Sequence, residues 1–390
     1  MRMAIAHDWL VTIGGSERVL EQMLQLYPQA DLVSLVDFLN DTERSIVGGR
    51  HAQTSFLQHW PWARTLYRNY LPLMPLAVES LDLSSYDMVL SSSHAVIKGV
   101  ITGPDQLHVC YCYSPMRYAW DLQAEYLKSG GLERGVRGWL TRALLVGMRM
   151  WDLRTVPGVD HFVAISHHIA RRIRKVYGRD ASVIYPPVDT AYFHLDETPR
   201  DDYYVTASRL VPYKRVDLIV AAFAALPHRR LVVIGEGPQL EALRKSATSN
   251  VEFLGYQDPS SLRHHLQRAR AFVFAAREDF GIAPLEAQAC GTPVVAFGRG
   301  GALETVCGMD SAHPTGLFFP EQSVECLCEA IRTFESQARR IAPSRCHEQA
   351  AQFSRERFSR ALTSLIDREW TEFRRRTRAG VHERANAVTG

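Results

Sequence analysis

Two glutamates, Glu278 and Glu286, stand with seven residues between them in REDFGIAPLEAQACGTPVVAFGRGGALET, Arg277 to Thr305. The gap is filled mostly by Gly, Pro and apolar side chains, so the two carboxylates hang on backbone rather than among other polar groups. Phe272 to Ala276 reads as a strand, Pro284 suits the first turn of a following helix, and Glu286 falls in that same turn. Glu278 then sits in the loop at the strand's carboxyl end. A carboxylate near a helix N-terminus can accept the two hydroxyls of a ribose while favouring the local dipole. The bland alternative is a capping glutamate beside a surface one; the Gly281 link between them favours chemistry.

A diphosphate would need cations and open backbone amides, and three other segments offer them. ASRLVPYKRVD carries Arg209 and Lys214 just past a strand, and ligands of open α/β sheets bind outside the carboxyl ends of strands. GEGP, Gly235 to Pro238, follows another strand at the same sheet edge. Gly14-Gly15 falls where the first strand gives way to a helix, leaving amides that a phosphate can approach. No third glycine follows, and Asp31 comes too early to serve as the ribose acid of a dinucleotide fold, which argues against a nicotinamide-dependent dehydrogenase. His94 ends a strand in SSSHAVIKG, and His7 and Asp8 follow the first strand. Ser166 either reaches a ligand or caps the helix that begins beside it.

The elements that must position these residues are short apolar runs alternating with helical patterns: MAIAH, DMVLSS, HVCYCY and HFVAIS, then YYVTAS, RLVVIG, VEFLG, AFVFAA and PVVAFG. That alternation is the signature of parallel α/β units, and the length suits two domains. The alternation restarts after a Pro-containing, acidic segment from about Tyr185 to Asp202. We therefore expect a Rossmann-like domain over 1–188, a second over 189–365, and a helix end with a basic tail over 366–390, with a cleft between the two domains. Residues 54 to 83, rich in aromatics and proline, have a different texture, and RGVRGWLTRALLVGMRMWDLR, Arg134 to Arg154, sets five arginines among Leu, Met and Trp. Both are candidates for peripheral contact with a membrane, as is the C-terminal RRRTR for anionic lipid. A formal charge of +3 is too small to imply nucleic acid, and seven cysteines without paired CxxC spacing suit reduced thiols rather than a zinc site. Without a signal-like start or an apolar run of about 18 residues, a cytoplasmic location is expected.

The run from Glu278 to Glu286, with GTPVVA and GGALE, resembles the donor-site signature of retaining glycosyltransferases of family 4, and the likeness extends to Gly14-Gly15, Arg209, Lys214 and VAIS near Ser166. HDWLVTIGGSERVL and YCYSPMRYAWD look similar to bacterial mannosyltransferases of O-antigen (lipopolysaccharide) and exopolysaccharide assembly. The resemblance implies the GT-B fold, with the C-terminal helix returning to the first domain. It implies transfer of a hexose, most simply mannose from GDP-mannose, to a polyprenyl-diphosphate-linked saccharide or other glycan. A UDP-sugar donor and a non-catalytic sugar-nucleotide-binding protein are the alternatives. By resemblance Glu286 binds the ribose and Glu278 the transferred sugar, while Arg209 and Lys214 neutralise the diphosphate. Phe280, Gly281, Ile282, Ala283 and Leu285 cradle the donor beside Gly14, Gly15, Gly235 and Tyr256. Glu278, His94, Arg209 and Lys214 form the expected catalytic set. His94, Lys98, Arg117, Tyr118 and Ser166 are expected on the acceptor side. Tyr113 stands where many relatives have His. No Asp-x-Asp follows a strand end, so neither a metal nor any cofactor beyond the nucleotide sugar is expected.

Overall fold

Short apolar runs buried on both faces fold into two parallel sheets, one in each of two units. The computed structural model describes residues 1–196 and 198–388; the side chains of Ser129 and of residues 378–388 are outside the description. The side chain of the last arginine of RRRTR and those of the tail beyond it therefore lie outside it. Unit 1 takes Met1–Tyr185 and the chain from Phe358 onward, and unit 2 takes Pro186–Arg357.

In unit 1, β1 (Met3–His7), β2 (Asp31–Ser34), β3 (Gln53–Thr54), β4 (Met88–Ser93), β5 (Leu107–Cys112), β6 (His161–Ala164) and β7 (Ala181–Val183) lie in the order β3-β2-β1-β4-β5-β6-β7. In unit 2, β8 (Tyr203–Ala207), β9 (Arg230–Ile234), β10 (Val251–Gly255), β11 (Ala271–Phe274), β12 (Val294–Phe297) and β13 (Gly316–Phe319) lie in the order β10-β9-β8-β11-β12-β13. All pairings are parallel. Each order reverses direction once, between β1 and β4 in unit 1 and between β8 and β11 in unit 2. Chains leaving those neighbouring strands diverge and open a crevice at the carboxyl ends, which is where such sheets bind ligands.

The aromatic stretch from residue 54 to 83 forms short helical turns rather than strands. It sends Leu57, Tyr67, Met74, Ala77 and Val78 into a core shared with Leu145, Met148 and Trp151 of the helix Gly135–Arg154. The final helix, Arg355–Val388, packs with unit 1: Phe358 meets Tyr111 and Glu369 lies 3.3 Å from His161.

His108 on β5 is fully buried, with Nδ1 2.9 Å from the Gly158 carbonyl and Nε2 2.8 Å from Ser91 Oγ. A carbonyl only accepts, so Nδ1 carries the proton and Nε2 accepts from the serine. Burial, with Lys98 adding to it, lowers the imidazole pKa to about 4. The unfolded chain binds this proton near pH 6.5 and the folded one only near 4, so stability rises with pH across that window and is lost as pH falls through it. The loss should reach about 3 kcal/mol. Denaturant midpoints at pH 7.5 and pH 5 should differ clearly in the wild type and less in His108→Gln; an equal difference in the two would contradict the assignment.

Candidate active site

In unit 2 most of the expected donor residues gather after β8 and β11, at the sheet's reversal point, while Gly235 and Tyr256 follow β9 and β10. β8 runs into Ser208–Val211 and a tight turn over Pro212–Lys214; β11 runs into the loop carrying Glu278. The Lys214 ammonium pairs with the Glu278 carboxylate, joining the loops of two neighbouring strands. Arg209 is exposed at the same edge. The helix after β11 starts at Ile282, so Glu286 is its fifth residue and stands in the second turn, not the first as expected. The helix begins two residues ahead of Pro284 because Gly281 takes a left-handed conformation (φ 93°) that turns the chain directly into it. Pro284, at the third position, has no N–H, so the donors at this helix end are the amides around Gly281, Ile282 and Ala283. Glu286 is largely buried, between the buried residues Leu285 and Ala287.

Several glycines that read as ligand cradles are close-approach positions within the protein. A Cβ on Gly235 would lie 2.0 Å from the Ser208 carbonyl oxygen, and one on Gly237 would lie 2.5 Å from that of Leu210. The loops after β8 and β9 are laced together by Ser208 N–H to Ile234 O (3.1 Å) and Leu210 N–H to Glu236 O (2.8 Å). Gly235 therefore holds the Arg209 loop in place. Gly300 and Gly301 do the same for the Glu278 loop. A Cβ on either would come within 2.3 or 2.4 Å of Glu278 O or Phe280 Cα, and Gly301 N–H donates to Glu278 O at 2.8 Å. Phe280 and Leu285 bury their side chains, Phe280 against Phe353, so only their backbones can face a ligand. Tyr256, after β10, presents an exposed ring.

In unit 1 the same reversal point is built around Asp8. Its carboxylate is fully buried and accepts four consecutive amides of the loop after β4: His94 N–H (2.6 Å) and Ala95 N–H (3.0 Å) on Oδ2, Val96 N–H (2.7 Å) and Ile97 N–H (2.8 Å) on Oδ1. His94 Nδ1 lies 3.2 Å from Asp8 Oδ2, and the Trp9 ring meets the imidazole edge-on at 4.6 Å. Burial lowers the His94 pKa, His7 and Arg117 act in the same direction, and Asp8 and Glu17 oppose them. Arg117 and Tyr118 are half-buried close by, and both burial and Asp8 raise the Tyr118 pKa.

Beneath this lies a network that sequence reasoning missed, centred on Glu17. His7 Nε2 is 3.3 Å from Glu17 Oε1, Ser16 Oγ donates to the same oxygen at 3.0 Å, and Gly14 N–H donates to Oε2 at 2.7 Å. Burial raises the Glu17 pKa, but the hydrogen bond and charge of His7, then the charge of His94, outweigh it and lower it to about 2. The available signal was a glutamate three residues after Gly14, the spacing of a capping box. Its consequence is a correction: Gly14 does not offer an open amide to phosphate, because Glu17 already takes it. Gly15 is exposed as the first helical residue. Tyr113 closes the same network, its hydroxyl 3.0 Å from Ser92 Oγ and donating to Ser16 O at 3.1 Å.

Two expected acceptor contacts have other roles. Lys98 is 1% exposed, with Nζ 2.8 Å from Asp152 Oδ1, 2.8 Å from Asp152 O, and over the Tyr177 ring. Trp120 Nε1 and the Tyr177 hydroxyl fill the rest of Asp152, so the pair is internally satisfied and ties the β4 loop to the helix Gly135–Arg154. Ser166 is buried and caps the helix His167–Tyr177 by accepting from Ile169 N–H at 3.1 Å.

Residues 13–192 match the model for Glycosyltransferase Family 4, and residues 191–353 match that for glycosyl transferases group 1. A GDP-mannose-dependent monoacylated alpha-(1-6)-phosphatidylinositol monomannoside mannosyltransferase of Corynebacterium glutamicum is 32% identical over 267 residues, 60% of this chain and 68% of that protein. A GDP-mannose-dependent alpha-(1-6)-phosphatidylinositol monomannoside mannosyltransferase of Mycobacterium tuberculosis is 33% identical over 208 residues, 46% of this chain; the chain spans 53%, about half, of that relative. Among solved structures, sucrose-phosphate synthase from Thermosynechococcus elongatus superposes with a TM-score of 0.71 at 18% identity, over 95% of this chain and 100% of that one. Anabaena Alr3699/HepE in complex with UDP gives 0.68 at 16%, over 94% and 100%. Two doubly wound units, each with its polar residues at the strand reversal, define a glycosyltransferase of the GT-B fold. The chain belongs to glycosyltransferase family 4, the glycosyl transferases group 1.

Proposed function

We propose that this glycosyltransferase moves a mannosyl unit from GDP-mannose, with retention, to a lipid-linked saccharide of surface polysaccharide assembly at the inner face of the cytoplasmic membrane. The observation that carries this reading is the meeting of Lys214 and Glu278 at the unit 2 reversal point, beside Arg209 and the helix bearing Glu286. Arg209, Lys214 and the amides of Gly281 to Ala283 neutralise the leaving diphosphate, a preorganised electrostatic effect that needs no metal. Glu286 holds the ribose hydroxyls. Glu278, paired with Lys214, contacts the transferred sugar. In unit 1, His94 with Arg117 and Tyr118 receives the acceptor, and with Nδ1 facing Asp8 the Nε2 atom is the one offered to a hydroxyl.

The bond from the anomeric carbon to the phosphate oxygen breaks as the bond to the acceptor oxygen forms on the same face. The leaving phosphate takes the acceptor's proton. No covalent glycosyl-enzyme is formed, and trapping one on a carboxylate would contradict this route. Mannose and its guanosine carrier are supported by the names of the corynebacterial and mycobacterial relatives, which also act on a mannosylated lipid. The UDP found in the Anabaena structure favours the other base. A panel of radiolabelled GDP- and UDP-sugars, assayed for transfer into membrane lipid extract, separates the two. Label from GDP-mannose should enter the lipid phase. Label from UDP-sugars alone would replace the donor, and binding without transfer or hydrolysis would favour a sensor.

A further inference from the structure

The helix Gly135–Arg154 turns only one face inward. Leu145, Met148 and Trp151 enter the unit 1 core, whereas Val136, Trp139, Leu140, Val146, Met150 and Leu153 are exposed, Trp139 at 68% and Met150 at 69%. Their spacing of three, four and seven residues sets them in one stripe along the helix. A second apolar group, Trp60, Trp62, Leu66 and Leu76, is exposed on the turns that pack against the same core. The two segments are linked by Glu79, which accepts from Trp151 Nε1 at 2.6 Å and pairs with Arg154. Among the described residues no helix is long and apolar enough to cross a membrane, so this stripe suits lying along a surface.

Charge decides what covers it. Arg134 and Arg137 are exposed at one end of the stripe and Arg154 at the other, with Arg64 and Arg68 on the neighbouring turns. The only carboxylate from Gly135 to Arg154 is Asp152, buried against Lys98. Antiparallel pairing with a second copy would bring Arg137 towards the partner helix's Arg154 end, and parallel pairing would set each arginine against its own equivalent. Glu79 already pairs with Arg154 and Glu133 precedes Arg134, but the stripe itself carries no acid to face Arg137 in either arrangement. A surface that is apolar within and negative at its headgroups matches both features.

We propose that this face of unit 1 docks on an anionic bilayer, with the Gly135–Arg154 stripe at the acyl boundary and its arginines among the headgroups. The inference rests on the reading above, in which the acceptor is lipid-linked, and adds the surface that meets the lipid. Flotation with vesicles of phosphatidylcholine, with and without phosphatidylglycerol, tests it in the absence of nucleotide sugar. Wild type should float only with the anionic vesicles and release at high salt. Trp139→Glu/Met150→Glu should bind roughly tenfold or more weakly with an unchanged melting temperature. Arg137→Glu should lose the preference for anionic lipid. Equal flotation of wild type and double variant, or indifference to phosphatidylglycerol, would overturn the docking. So would a wild-type dimer in light scattering that the double variant dissociates. Transfer to a water-soluble mannoside separates the two readings. Normal transfer without flotation overturns docking alone, whereas flotation without any transfer leaves docking standing and overturns the function.

Discussion

Lys214→Ala is expected to lower kcat/KM for the nucleotide sugar by about one to two decades, the equivalent of losing a charged hydrogen bond worth roughly 1.5 to 3 kcal/mol. The loss has two parts. On the proposed reading the diphosphate loses a cation at the strand reversal of unit 2, and Glu278 loses the partner it pairs with. Affinity for the free nucleoside diphosphate should fall alongside, because the proposed contact is to the leaving group itself. Lys214→Arg should recover part of both, since it restores charge at a different reach. Calorimetry with the nucleoside diphosphate, beside steady-state transfer, checks the pairing. A fall in transfer with unchanged diphosphate affinity would move Lys214 off the phosphate.

Asp8→Asn is expected to be the most damaging single-atom change in unit 1. Asp8 accepts four backbone N–H groups in a fully buried site, and asparagine turns one acceptor into a donor aimed at other donors. Two of the four amides lose their acceptor, at about 1 to 3 kcal/mol each, so a loss of about 2 to 6 kcal/mol and a melting temperature lower by about 10 °C are expected. The loop from His94 to Ile97 would lose its anchor while unit 2 keeps its donor residues. The turnover rate should therefore fall with little change in donor KM, and the pH profile should shift as His94 loses Asp8. Wild-type melting and turnover in Asp8→Asn would contradict this role.

Both predictions depend on features that were unevenly legible in the sequence. The alternation of apolar runs with helices pointed to two parallel sheets because strands buried on both faces carry no polar interruptions. Strands β2, β3, β7 and β13 do not stand out in the sequence; most are only three or four residues long, and the apolar pattern of so short a run does not separate strand from loop. The donor loops of unit 2 were legible since Gly281, Pro284 and the two glutamates are close in sequence and their local geometry follows from residue type. What was hidden depends on partners far along the chain. Lys98 reads as an acceptor-side cation until Asp152, on a distant helix, is brought beside it. Gly235 reads as part of a ligand cradle until the Ser208 carbonyl is found against its back. Asp8 followed a strand and faced the right edge, but the four amides it collects lie more than 80 residues away. Glu17 went unread for a different reason: a glutamate in a first helical turn is ordinary, and its link to His7 depends on how β1 enters the turn.

The central claim is that unit 2 binds the donor through Lys214 and Glu286. It is tested most directly by transfer of radiolabelled mannose from GDP-mannose into lipid extract by the Lys214→Ala/Glu286→Ala double variant. Product formation should fall to background while the folded state, followed by its melting curve, is retained. Undiminished transfer by that folded double variant would contradict the assignment.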